Sequence, residues 1–219
     1  MQISLNSGPP EPENQTVERE DAARNRRKLL ATASTLIAEH GIEALTMDEL
    51  AGRACVGKGT IFRRFGNRAG LFEALLSYED EQFQAALISG PPPLGPGAPP
   101  RERLLAYGQA VINRSENFEN LLRAAQESSE RRWSGPSSML YRLHLSMLLR
   151  QMVPGPHPPG AARPVSAGID PQILALTLFQ ALQPDFLVYQ REGLGLSREG
   201  QYGAWVFLVD AVSAQLRST

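Results

Sequence analysis

The sequence predicts an all-α protein: a three-helix head followed by a larger helical body, about nine helices in all. Three observations carry this. Past residue 20, apolar residues recur at helical spacing almost everywhere. The breaks between these segments fall on glycine, proline and capping residues. No segment alternates apolar and polar residues as a half-buried strand would, and no internal repeat appears.

Residues 1–20, rich in Pro, Glu, Asn and Gln, read as a disordered tail. A first helix is expected over 22–40, with Leu29, Ala33, Leu36 and Ile37 on one stripe and Gly41 as its stop. A second begins after Thr46, where Thr46-Met-Asp-Glu49 has the form of a capping box. A turn near 54–57 leads to a third at about 58–65, and Gly66-Asn67 separates it from a fourth at 68–88. The tract GPPPLGPGAPP over 90–100 cannot be helical. Helices are then expected at 100–113, 116–131 and 136–152, followed by a second Pro/Gly-rich break over 153–168. Asp170-Pro171 starts a helix reaching about 191, kinked at Pro184, and Ser197 caps a last helix to about 215. The domains expected are therefore a tail over 1–20, a head over 21–66 and a body over 67–219.

Composition bounds the function. The chain has 219 residues, 42% of them apolar, which suits a buried core and excludes a disordered chain. No stretch approaches the roughly 18 uninterrupted apolar residues of a membrane span, and the start lacks the pattern of a signal peptide. The single cysteine, Cys55, excludes an internal disulfide and fits the cytoplasm. The net charge of −1 hides a segregation. Residues 22–68 carry nine basic groups (Arg24, Arg26, Arg27, Lys28, Arg53, Lys58, Arg63, Arg64, Arg68) against four acids (Glu39, Glu43, Asp48, Glu49). A basic module on a mildly acidic body is the distribution expected of a DNA-binding head.

Residues 46–72 also meet the packing demands of a helix-turn-helix. The small Ala51 stands where two helices must cross closely, and Leu50, Val56 and Ile61 are apolar pegs that fix their angle. The second helix opens on Gly57-Lys58-Gly59-Thr60, whose backbone donors can approach phosphate. On it, Ile61 and Phe65 are four apart and turn inward, leaving Lys58, Thr60, Phe62, Arg63 and Arg64 outward.

The run TMDELAGRACVGKGTIFRRFGNRAGLF over 46–72 resembles the DNA-binding signature of the tetracycline-repressor (TetR) family, and the likeness extends over about 24–76. It implies an all-α homodimer with two reading heads and an effector pocket in the body. Carried over by position, Thr46, Lys58, Gly59 and Thr60 would approach phosphate, and Arg63 and Arg64 would reach the major groove or its walls. Arg68 would clamp a phosphate, and Arg24, Arg26 and Arg27 would touch the backbone or an adjacent groove. The chain departs from the pattern in three places. Phe62 replaces a common Tyr and loses a hydroxyl, Arg64 replaces a frequent His, and Cys55 occupies a turn position often filled by Gly. A left-handed backbone at Cys55 would cost on the order of 1 kcal/mol.

In the body, Phe83, Tyr107, Phe118, Trp133 and His144 are the candidates for an effector cavity, because several combine an apolar ring with a polar atom. Phe179, Phe186, Trp205, Leu208 and Val209, on the last two long helices, are the candidates for a dimer seam. The effector expected is small and mainly apolar, bound among the fourth to eighth helices so that a tilt of the fourth lowers operator affinity. No catalytic constellation, metal-ligand spacing or nucleotide loop occurs, so no enzyme activity and no cofactor are expected. The partners expected are double-stranded DNA, a second copy of the chain and the effector, with no membrane. Two rival readings stay open: a DNA-binding protein without an effector, and a redox regulator using Cys55 beside Arg53 and Lys58.

Overall fold

Helix-forming residues punctuated by glycine and proline do give an all-α chain. The computed structural model describes residues 12–125, 134–153 and 170–217, and among these it contains nine α-helices, a 3-10 turn and no strand. None of the described helices is long and apolar enough to cross a membrane. The chain divides into two units, Met1–Leu75 and Leu76–Thr219.

In the first unit, α1 runs from Pro12 to His40. It thus begins ten residues before the expected start at 22, and residues 12–20, read as tail, are helical; residues 1–11 lie outside the described part. Leu29, Leu30, Ala33, Leu36 and Ile37 bury the inner stripe, and α1 stops at Gly41, whose φ of 80° suits a residue without Cβ. A 3-10 turn at Ile42–Ala44 leads to α2, Met47–Arg53. The Thr46 side chain accepts a hydrogen bond from the Glu49 amide at 3.1 Å, so the cap read from the sequence is made. Helix α3, Lys58–Phe65, buries Ile61 and Phe65 as their spacing predicts. The Asn67 side chain then caps α4, Arg68–Ser89, by accepting from the Gly70 amide at 2.9 Å. Gly70 lies so close to the Phe65 carbonyl that any Cβ would collide with it. Leu71, Phe72, Ala74 and Leu75 complete the head's core, and the unit boundary falls inside α4.

The second unit is organised around α5, Pro100–Ala124, which packs against α6 (Pro136–Met152), α8 (Pro184–Glu192) and α9 (Arg198–Arg217). Helix α7, Pro171–Ala181, packs on α6. Where two helices were expected over 100–131, α5 runs unbroken to Ala124, because Ser115 donates its hydroxyl to the Ile112 carbonyl within the helix and needs no turn. The expected single helix over 170–191 is instead two. Gln183 is extended (φ −65°, ψ 133°), as steric conflict with a following proline favours, and Pro184 starts α8. The crossing of α5 and α9 turns on one large and one small residue. Trp205 is buried, donates to the Leu104 carbonyl at 2.9 Å, and lies where a Cβ on Gly108 would be. Around this pair sit Leu104, Tyr107, Ile112, Leu145, Leu148, Leu149, Leu178, Leu187 and Val209. Arg103 donates from inside this unit to the Leu87 carbonyl at 2.9 Å, satisfying the end of α4.

Candidate nucleic-acid interface and ligand cavity

The turn between α2 and α3 is a Schellman motif built on Cys55. Ala54 is the cap, the Cys55 amide donates to the Gly52 carbonyl at 3.2 Å and the Val56 amide to the Ala51 carbonyl at 3.0 Å. Cys55 itself has φ 53°, the left-handed conformation anticipated for that position, and is exposed. With Ile61 and Phe65 buried, the opposite side of α3 is fixed toward solvent. Lys58, Gly59, Phe62 and Arg63 are exposed there, and Thr60 is half-buried. Phe62, 42% exposed, is an apolar ring left in water beside two cations, and the Lys58 ammonium lies 5.9 Å from its centroid. Lys58 also pairs with Asp48 at 2.6 Å, an exposed bridge that holds it weakly.

The structure separates the two arginines that the sequence treats alike. Arg63 is exposed and makes no hydrogen bond or ion pair among the described residues. Arg64 is half-buried, donates to the Ala22 carbonyl of α1 at 2.9 Å, and keeps its Nε buried without a partner. Its guanidinium ties α3 to α1, a placement that the expectation of an outward Arg64 did not include. Arg68 likewise points back into the head, donating to the Leu45 and Ile42 carbonyls at 3.3 and 3.4 Å over the Phe72 ring. Thr46 is occupied as the α2 cap. On α1, Arg24, Arg26 and Arg27 are all exposed; Arg24 pairs with Asp21 at 2.7 Å and Arg26 lies 5.6 Å from the Phe65 centroid.

The second unit holds a cavity of about 480 Å³. Of the expected effector residues, Phe83, Tyr107 and Phe118 line it. His144 does not; it is buried beside Tyr107, with ring centroids 6.2 Å apart. Burial and the neighbouring Arg103 push its imidazole down to about 4, and its Nε2 has no partner. Trp133 lies outside the described residues. The sequence reading missed the polar part of the wall: Asp80 and Gln84 from α4, Arg114 from α5, Ser137 from α6, and Gln183. The Tyr141 hydroxyl donates to Asp80 Oδ1 at 2.7 Å, and Arg114 approaches the same oxygen at 3.5 Å. Burial first, and then the Asp80 charge, raises the Tyr141 phenol above its ordinary value, so it stays a donor. A signal was available, since Arg114 interrupts the apolar stripe of Val111 and Phe118.

The expected dimer residues divide. Trp205, Val209 and Phe179 are already buried within the chain, so they have no surface to offer a second copy; Phe179 also lines the cavity. Phe186 and Leu208 are exposed, at 44% and 38%. No group of three or more potential metal ligands gathers among the described residues.

Residues 29–75 match the family model of bacterial regulatory proteins of the tetR family. An uncharacterized HTH-type transcriptional regulator, YvkB of Bacillus subtilis (strain 168), is 45% identical over 51 residues. Nucleoid occlusion factor SlmA of Mannheimia succiniciproducens is 31% identical over 91 residues. These alignments cover 23% and 40% of this chain, and 27% and 40% of the relatives' own lengths. The crystal structure of a TetR-family transcriptional regulator from Rhodococcus sp. superposes with a TM-score of 0.59 at 24% identity, covering 87% of this chain and 99% of that one. The last comparison shows a shared fold. The head thus matches the tetR-family model over residues 29–75, and the whole chain shares the fold of a TetR-family regulator.

Proposed function

We propose that this chain is a transcriptional repressor that binds a roughly palindromic operator as a homodimer and is released when a small molecule enters the body cavity. The observation that carries the reading is the solvent face of α3. Lys58, Phe62 and Arg63 stand there behind Gly57 and Gly59, on a helix held by the turn at Cys55. Cations and small residues at a helix start are what phosphate and base edges require. In this reading the protein works in the cytoplasm without a cofactor, and its partners are double-stranded DNA, its own second copy and the effector.

Two further observations support the regulatory half. Helix α4 gives Leu71 and Phe72 to the core of the first unit and Phe83 to the cavity wall of the second, so one helix can report occupancy. A cavity of about 480 Å³ also favours an effector over a DNA-binding protein without one. Footprinting on the DNA flanking its own gene should protect two half-sites about one helical turn apart or slightly more. Uniform, salt-labile retention of all DNA with no protected site would overturn the reading.

A further inference from the structure

The polar wall of the cavity selects among guests. Arg114 lies against two rings: its guanidinium carbon is 4.3 Å from the Phe118 centroid and 4.5 Å from that of Phe83. The guanidinium's donors all lie in its own plane, so the ring contacts leave its hydrogen-bonding capacity to groups that approach edge-on. Among the described residues its one polar contact is the 3.5 Å approach to Asp80, which already accepts from Tyr141 at 2.7 Å. The acid is better served than the base.

We propose that the cavity takes a monocarboxylate with an aromatic or apolar body, its carboxylate seated edge-on against the Arg114 guanidinium. The inference rests on reading the body as an effector site. A planar fork with unengaged donors matches a carboxylate through two parallel hydrogen bonds, in a wall that is largely removed from water. A cationic guest meets Arg114 already against Phe83 and Phe118 and 3.5 Å from Asp80, which leaves the exposed Glu81 as the one other carboxylate of the lining. Val111, Phe179 and Leu182 supply an apolar lining for the guest's body, and the volume falls within the roughly 300–1,000 Å³ of small-molecule sites.

The test is calorimetric titration of the full chain with ω-phenylalkanoates of increasing length, their primary amides and the matching amines. The acid should bind about 10- to 100-fold more tightly than its amide, as for a charge-assisted hydrogen bond, and the amine no better than the amide. Arg114→Gln should abolish the preference for acid over amide, while melting curves that match the parent show that the fold is intact. Arg114→Lys should keep part of the preference. Tighter binding of the amine, a preference that survives Arg114→Gln, or no binding by any member of the series overturns the proposal. The same compounds titrated against operator complexes separate the two claims. Acid bound through Arg114 with DNA affinity unchanged leaves the site standing and refutes regulation by it. Operator release by the amine alone does the reverse.

Discussion

Cys55 holds the left-handed position of a Schellman turn, where a Cβ crowds the carbonyl that follows. Cys55→Gly should therefore stabilise the chain by about 1 kcal/mol in urea unfolding, while Cys55→Ala, which keeps the Cβ, should change little. An equal response to both substitutions would show that the turn carries no strain. His144 gives a residue-scale pH dependence. In the folded chain its imidazole titrates near 4, against 6.5 when unfolded, so the unfolded state binds the proton first. Its contribution to stability is complete above pH 6.5 and is lost as pH falls toward 4. At 1.36 kcal/mol per unit, the loss is on the order of 3 kcal/mol. Unfolding free energies at pH 7 and pH 4 should show the wild type losing about that much more than His144→Leu; parallel profiles would contradict the assignment.

At the scale of the element, α3 leaves Lys58 and Arg63 exposed and turns Arg64 back toward α1. Lys58→Ala should weaken all DNA sequences alike and lower the salt slope by about 1, the signature of one lost phosphate contact. Arg63→Ala should cost about 1–3 kcal/mol on the preferred site and little on random DNA, if its free guanidinium reads a base edge. Arg64→Ala should act differently. It breaks the bond to the Ala22 carbonyl, so thermal unfolding should shift before DNA specificity does. Filter binding at several salt concentrations, with melting curves of the same samples, separates the three. An Arg64→Ala chain with wild-type stability and relaxed base preference would return Arg64 to the groove.

For the whole molecule, the distinction is between apolar surface already buried and apolar surface still exposed. Helices α7, α8 and α9 expose Ile173, Leu176, Phe186, Tyr189, Phe207 and Leu208, and Phe207 is 73% exposed. Single exposed apolar residues are ordinary, but three successive helices bearing pairs of them suit a seam between copies. Phe207→Glu or Leu208→Glu should give a folded chain sedimenting as a 24.0 kDa species, where the parent sediments as twice that. Trp205→Ala should instead lose about 3–5 kcal/mol of stability, since it empties the α5–α9 crossing. A wild-type chain that sediments as the monomer at micromolar concentration would remove the homodimer from the proposed function.

Local information determined most of the helices, the α2 cap and the inward pair Ile61 and Phe65. Each depends on neighbours within about four positions, and periodicity and capping chemistry express that range. The left-handed backbone at Cys55 was raised only as a condition, from the glycine that the resembling family often has there, and the structure adopts it. What local sequence did not contain was long-range. Nothing near Arg64 or Arg68 in sequence says that their guanidinium groups turn back to carbonyls 42 and 23 positions away. Composition alone could not tell an apolar residue that meets its partner inside the chain, such as Trp205 at Gly108, from one left exposed, such as Phe207. The Asp80–Arg114–Tyr141 cluster joins three helices, so no window on the sequence contains it. Only packing decided which charges were brought out of water together, because that depends on which helices meet.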